Sequence, residues 1–128
     1  PNVESNTLSW APDWFPTLAS IAGANTQSVL LDGQSISETL KGVTSTVEKE
    51  MYWELGSHAE LERGHWIAYR RNQWKYVNTP KDGEWLFNLD LDPTESINLK
   101  TSEPKTFELM KSSCLRLGDT YREYSAYQ

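Results

Sequence analysis

Short runs of aromatic and β-branched residues, separated by turn signals, constrain this chain more than any other feature. His65 to Arg70 (HWIAYR), Trp74 to Val77 (WKYV) and Glu84 to Leu89 (EWLFNL) carry the residue types that suit a pleated, half-buried surface. Arg71-Asn72-Gln73 is a short polar connection of hairpin length. Pro80-Lys81-Asp82-Gly83 follows, and its Asp-Gly supplies the positive φ angles of a tight turn. Glu50 to Leu55 (EMYWEL) is expected to join the same sheet. The pattern predicts a four-stranded antiparallel meander with a face available for burial.

Alternation assigns the faces. Trp66 and Ala68 point one way, and Ile67 and Tyr69 the other. Trp74 and Tyr76 oppose Lys75 and Val77, while Trp85 and Phe87 oppose Leu86 and Asn88. Neither face is purely polar, so a helix is expected over one and further contact over the other. The helix is supplied downstream, where Phe107, Met110, Cys114, Leu117 and Tyr121 recur at spacings of three and four. Ser102 is read as its cap, with Glu103 and Pro104 in the first turn. The helix is expected near Ser102 to Leu117, loosened at Gly118, before a weakly determined tail. The fold class is therefore α+β: a small antiparallel four-stranded sheet packed by a C-terminal helix, with a short N-terminal helix.

That N-terminal helix is read over Asp13 to Ala22. Asp13 is its expected N-cap, and Pro16 lies where a missing N–H does no harm. Phe15, Leu18, Ile21 and Ala22 form the expected apolar face, and Gly23 the stop. Ser35 to Leu40 reads as a helical turn with Ile36 and Leu40 inward. The divisions are 1–49, helix and loop lead-in; 50–99, sheet; and 100–128, helix and tail.

Composition excludes several functions. The 128 residues suffice for one domain with a modest core. A net charge of −6 and no basic stripe argue against a nucleic-acid partner. No apolar run approaches the roughly 20 residues of a membrane span, so no membrane partner is expected. The first residue is proline, not methionine, which reads as a processed or excised piece. One cysteine forbids an internal disulfide and leaves the redox compartment open.

Several segments carry a more specific resemblance. Glu50-Met51-Tyr52-Trp53-Glu54 is followed by Ala68-Tyr69-Arg70 and Trp74-Lys75-Tyr76. Trp85-Leu86-Phe87-Asn88-Leu89 then precedes Asp92-Pro93, Glu95 and Asn98-Leu99. Upstream stand Asp13-Trp14-Phe15-Pro16-Thr17-Leu18 with Ile21-Ala22-Gly23, and Asp32-Gly33 with Ser35 and Lys41-Gly42. In this order, from Asp13 to Leu99, they resemble the C-terminal region of type I sulfatases, the arylsulfatase family of the alkaline-phosphatase-like superfamily. The resemblance implies a parent hydrolase that cleaves sulfuric esters of a small molecule or glycan. It also implies a missing N-terminal catalytic domain as partner, carrying calcium and a formylglycine made within C/S-x-P-x-R. The parent's compartment stays open, with periplasmic, extracellular and lysosomal export all compatible.

This chain holds no such motif: Cys114-Leu115-Arg116-Leu117-Gly118 has Arg116 and Gly118 where the motif requires proline and arginine, and Cys114 lies on the apolar stripe. No catalytic residue, metal ligand or cofactor is therefore expected within it. Substrate contact falls to the loop Gly56 to Gly64, where His58 and Arg63 could donate to a sulfate or sugar hydroxyl. The competing reading is a solvated loop. His65 reads as structural or surface, and Arg70 as scaffold. Asp90, Asp92 and Glu95 read as a turn, because the glycine and spacing of a calcium loop are missing. The alternatives are a free-standing glycan-recognition module using its aromatics, or a piece of a related phosphoesterase. An exposed apolar patch is expected where the larger domain would sit, and it offers a route to homo-oligomers.

Overall fold

The computed structural model describes residues 4–43, 48–55 and 66–123. They fall into two compact units, Pro1–Val47 and Glu48–Gln128.

The second unit is the expected sheet and helix. Strands β1 (Glu50–Leu55), β2 (Trp66–Arg71), β3 (Trp74–Thr79) and β4 (Gly83–Asn88) pair antiparallel in sequence order. The β2–β3 hairpin closes at Arg71 opposite Trp74, with Asn72 at φ 53°. The β3–β4 hairpin closes at Thr79 opposite Gly83, whose φ of 79° favours glycine. Alternation distributes the side chains as expected. Tyr52, Tyr69, Tyr76 and Leu86 form one buried layer with Phe107, Met110 and Cys114 of α3 (Pro104–Glu123). Ala68, Val77 and Phe87 lie on the opposite face with Trp66, Trp85 and Leu89 around them.

Helix α3 differs from expectation at both ends. Ser102 does not cap it: its hydroxyl donates to the Leu99 carbonyl, and the helix opens at Pro104. Downstream it continues through Gly118, which is buried, to Glu123. Tyr121 stacks on Tyr52 at 5.7 Å, so packing against β1 extends the helix beyond the loosening expected at glycine.

The turn after β4 explains the run from Asp92 to Leu99. Asp92 accepts the backbone N–H groups of Ser96 (2.7 Å) and Ile97 (2.8 Å). Asn98 Oδ1 then accepts the Leu86 N–H, and the Leu99 N–H donates to the Leu86 carbonyl, sealing the outer edge of β4.

In the first unit, a 3₁₀ turn (Ala11–Asp13) leads into α1 (Trp14–Ile21), and α2 spans Ser37–Leu40. Asp13 stands at the N-cap position of α1, as expected, but its side chain makes no capping hydrogen bond to that helix. It is fully buried, and its carboxylate accepts the N–H groups of Trp10 (3.0 Å) and Gln34 (2.9 Å). Thr17 completes the latch, donating to the Asp13 carbonyl and accepting the Ile36 N–H. The face of α1 that packs inward is therefore Asp13, Pro16 and Thr17. Phe15, Leu18 and Ile21, expected inside, are 59–61% exposed. Leu40 is likewise exposed, and the inward residue of α2 is Ser37. Buried hydrogen bonding wins over apolar periodicity here because the latch satisfies backbone donors of two otherwise irregular loops.

Candidate functional site

The face of the sheet turned away from α3 carries the candidate site. Period-two alternation brings Trp53, Trp66, Ala68, Arg70 and Lys75 to this face. With Leu89 and Glu95 they line an open cavity of about 270 Å³. Lys75 Nζ is held by both carboxylate oxygens of Glu95, at 2.7 and 2.8 Å. Glu95 reaches it from the left-handed conformation, φ 55°, within the turn that Asp92 organises. The Ile97 N–H, and then hydroxyl donors, hold the Asp92 carboxyl below its ordinary value against the smaller effect of burial. Arg70 Nε donates to the Asn72 carbonyl at 3.0 Å, and no carboxylate pairs with its guanidinium among the described residues.

The α3 side of the sheet is closed by charge at its rim. Glu84 accepts Tyr76 Oη (2.8 Å), Lys100 Nζ (3.0 Å) and Lys111 Nζ (2.7 Å). Lys111 foremost, with Tyr76 and Lys100, brings its pKa down to about 2 against the effect of burial. At the opposite edge Glu50 accepts Tyr69 Oη (2.6 Å) and Arg116 Nη2 (3.1 Å). Burial pushes that carboxyl up, and these donors together outweigh it. Burial foremost, then the carboxylates, raises both phenols far above the ordinary tyrosine range. These groups join helix to sheet.

His58 and Arg63 lie outside the described residues. The described residues on either side of them, Leu55 and Trp66, are direct partners in the β1–β2 pair. From the sequence Arg70 reads as scaffold, and Trp53 and Trp66 have no assigned contact. Alternation placing both tryptophans and Arg70 on the face without a helix was the signal available for them.

A formylglycine does not fit Cys114, which is fully buried between α3 and the sheet with no path to solvent. Nor do the described residues hold three His, Cys, Asp or Glu side chains grouped to bind a metal ion. Asp92 spends its oxygens on its own turn, and Glu95 on Lys75. No described helix is long and apolar enough to cross a membrane.

The second unit is an α+β module: a four-stranded antiparallel sheet with α3 packed on one face and the cavity on the other. Its relatives give the family. The chain is 39% identical over 90 residues, 68% of its length, to the choline-sulfatase of Rhizobium meliloti (strain 1021). Its fold covers 90% of its length on a solved 2-O GAG sulfatase, with a TM-score of 0.65 and 26% identity. It also resembles, in fold, the phosphonate monoester hydrolase of Agrobacterium radiobacter, with 84% of the chain covered, a TM-score of 0.61 and 20% identity. No family model matches the chain. It spans 17% of the choline-sulfatase, 25% of the GAG sulfatase and 24% of the phosphonate hydrolase. In sequence and fold this is the C-terminal region of a sulfatase, within the alkaline-phosphatase-like superfamily.

Proposed function

We propose that the parent protein is a sulfuric ester hydrolase in which residues 1–128 complete the fold and form one wall of the substrate site. The observation that carries this reading is the 39% match to a choline-sulfatase, joined to a fold likeness that covers nearly all of this chain and a quarter of a GAG sulfatase. The partner is the larger catalytic part of the same protein, which carries the formylglycine and calcium of the family; neither fits the side chains described here. The substrate is a sulfated small molecule or glycan. His58 and Arg63 contact it from the loop between β1 and β2.

The test is made in the full-length enzyme. His58→Ala and Arg63→Ala should impair turnover of the extended natural substrate, since a charged contact buried on binding is worth about 2 to 5 kcal/mol. A small aryl sulfate, too short to reach the loop, should be hydrolysed almost normally. Equal losses on both substrates, or none on either, would refute substrate contact. The fold likeness to a phosphonate monoester hydrolase favours a phosphoesterase as the second reading. Faster turnover of an aryl phosphonate monoester than of the matching sulfate would establish it.

A further inference from the structure

Most of the sheet face opposite α3 is closed by its own side chains. Met51, Ala68, Val77 and Phe87 are buried, and Trp85 stacks on Phe87 at 6.0 Å. One dent stays open, and its cause is a small residue among large ones. Ala68 is the direct partner of Trp53 across β1–β2. Trp66 and Arg70 flank it along the same face of β2, and Lys75 is the partner of Arg70 on β3. Indoles and cations thus surround a methyl floor, leaving the cavity of about 270 Å³. That is just below the roughly 300 to 1,000 Å³ of pockets for drug-sized ligands, so it suits a single small ring.

Charge restricts the occupant. Both Glu95 oxygens hold Lys75 Nζ, so that pair is neutral. Arg70 donates Nε to the Asn72 carbonyl, which fixes the guanidinium and leaves its Nη groups without a partner among the described residues. Tryptophans alone would suit a quaternary ammonium, but the Arg70 charge repels one. It attracts an anion instead, and its fork can bind one bidentately. Glu95 keeps lone pairs beyond Lys75 that can accept from hydroxyls, and the indoles offer apolar faces. A sugar ring with an acidic substituent answers all three, with its C–H face, its hydroxyl edge and its anion.

We propose that this cavity binds one pyranose residue bearing an acidic group, packed against Trp53 and Trp66 with its anion on Arg70. The proposal rests on the reading of the parent as a hydrolase of a sulfated small molecule or glycan, and deepens it by selecting an acidic glycan. The anion is a carboxylate or a sulfo group.

The experiment is calorimetric titration of the full-length protein with methyl β-D-glucuronide, methyl 6-deoxy-6-sulfoglucoside and methyl β-D-glucoside. The sulfo sugar is a sulfonate, with no ester for a sulfatase to cleave. Wild type should bind at least one acidic sugar roughly tenfold more tightly than the glucoside, the worth of a charge-assisted hydrogen bond. The tighter of the two identifies the anion. Arg70→Met should erase that preference, and Trp66→Ala should weaken binding of the preferred sugar, both with wild-type circular dichroism. Should Arg70→Met fail to fold, Arg70→Lys serves, with a smaller loss expected because the ammonium keeps the charge without the fork. Acidic sugars that bind no better than the glucoside, or affinities unchanged in the folded variants, would overturn the proposal. So would benzoate, an anion without hydroxyls, binding as tightly as the preferred sugar and depending equally on Arg70. Failure of the parent reading is separate: it would show as a full-length chain without C/S-x-P-x-R.

Discussion

Replacing Glu84 by glutamine removes one negative charge and little else, because the amide oxygen can still accept from Tyr76 and a lysine. In the native protein Lys111, Tyr76 and Lys100 bring the Glu84 pKa from 4.5 to about 2. Taken whole, that change corresponds to about 3.4 kcal/mol of stability. Lys100 and Lys111 stay 42% and 35% exposed, so solvent screens much of the attraction and roughly 1 to 2 kcal/mol remains. The sign follows from the depressed folded-state pKa. The contribution is fully present above 4.5 and is lost as pH falls towards 2. Urea denaturation of wild type and Glu84→Gln across this range should therefore show a gap at pH 7 that closes in acid. A gap of equal size at pH 7 and pH 2.5 would refute the reasoning, as would no gap at pH 7.

Two further outcomes test the packing. Gly33→Ala places a Cβ 2.1 Å from the Pro12 carbonyl oxygen, so the Asp13 latch must open; hydrogen exchange at the Gln34 amide should accelerate, and an unchanged rate would contradict the latch. Phe107→Ala empties the space between α3 and Tyr76 and should cost about 3 to 5 kcal/mol in urea denaturation, with a loss below about 1 kcal/mol counting against this core.

The sheet was legible because its information is local. Alternation in Trp66 to Tyr69 and Trp74 to Val77 sets the faces, and two short turns set the strand order. The stripe from Phe107 to Tyr121 likewise announced the helix and the side it buries. The motif residues were legible as a resemblance before their work was visible. Asn98 seals the edge of β4, and Asp92 builds the turn that carries Glu95 to Lys75. The first unit was misread because periodicity in Phe15, Leu18 and Ile21 marks an apolar stripe without saying what covers it.

What the sequence by itself determined is the antiparallel meander, its backing helix and the absence of C/S-x-P-x-R. Only the tertiary structure decided that Asp13 is a buried latch, that Tyr121 prolongs α3, and that Arg70 lines one cavity with Trp53 and Trp66. Each of these depends on partners distant in the chain: Gln34 for Asp13, Tyr52 for Tyr121, and Trp53 for Arg70. Residue type and spacing fix which way a side chain points from its own strand or helix. What it meets there is set by how the elements close on one another.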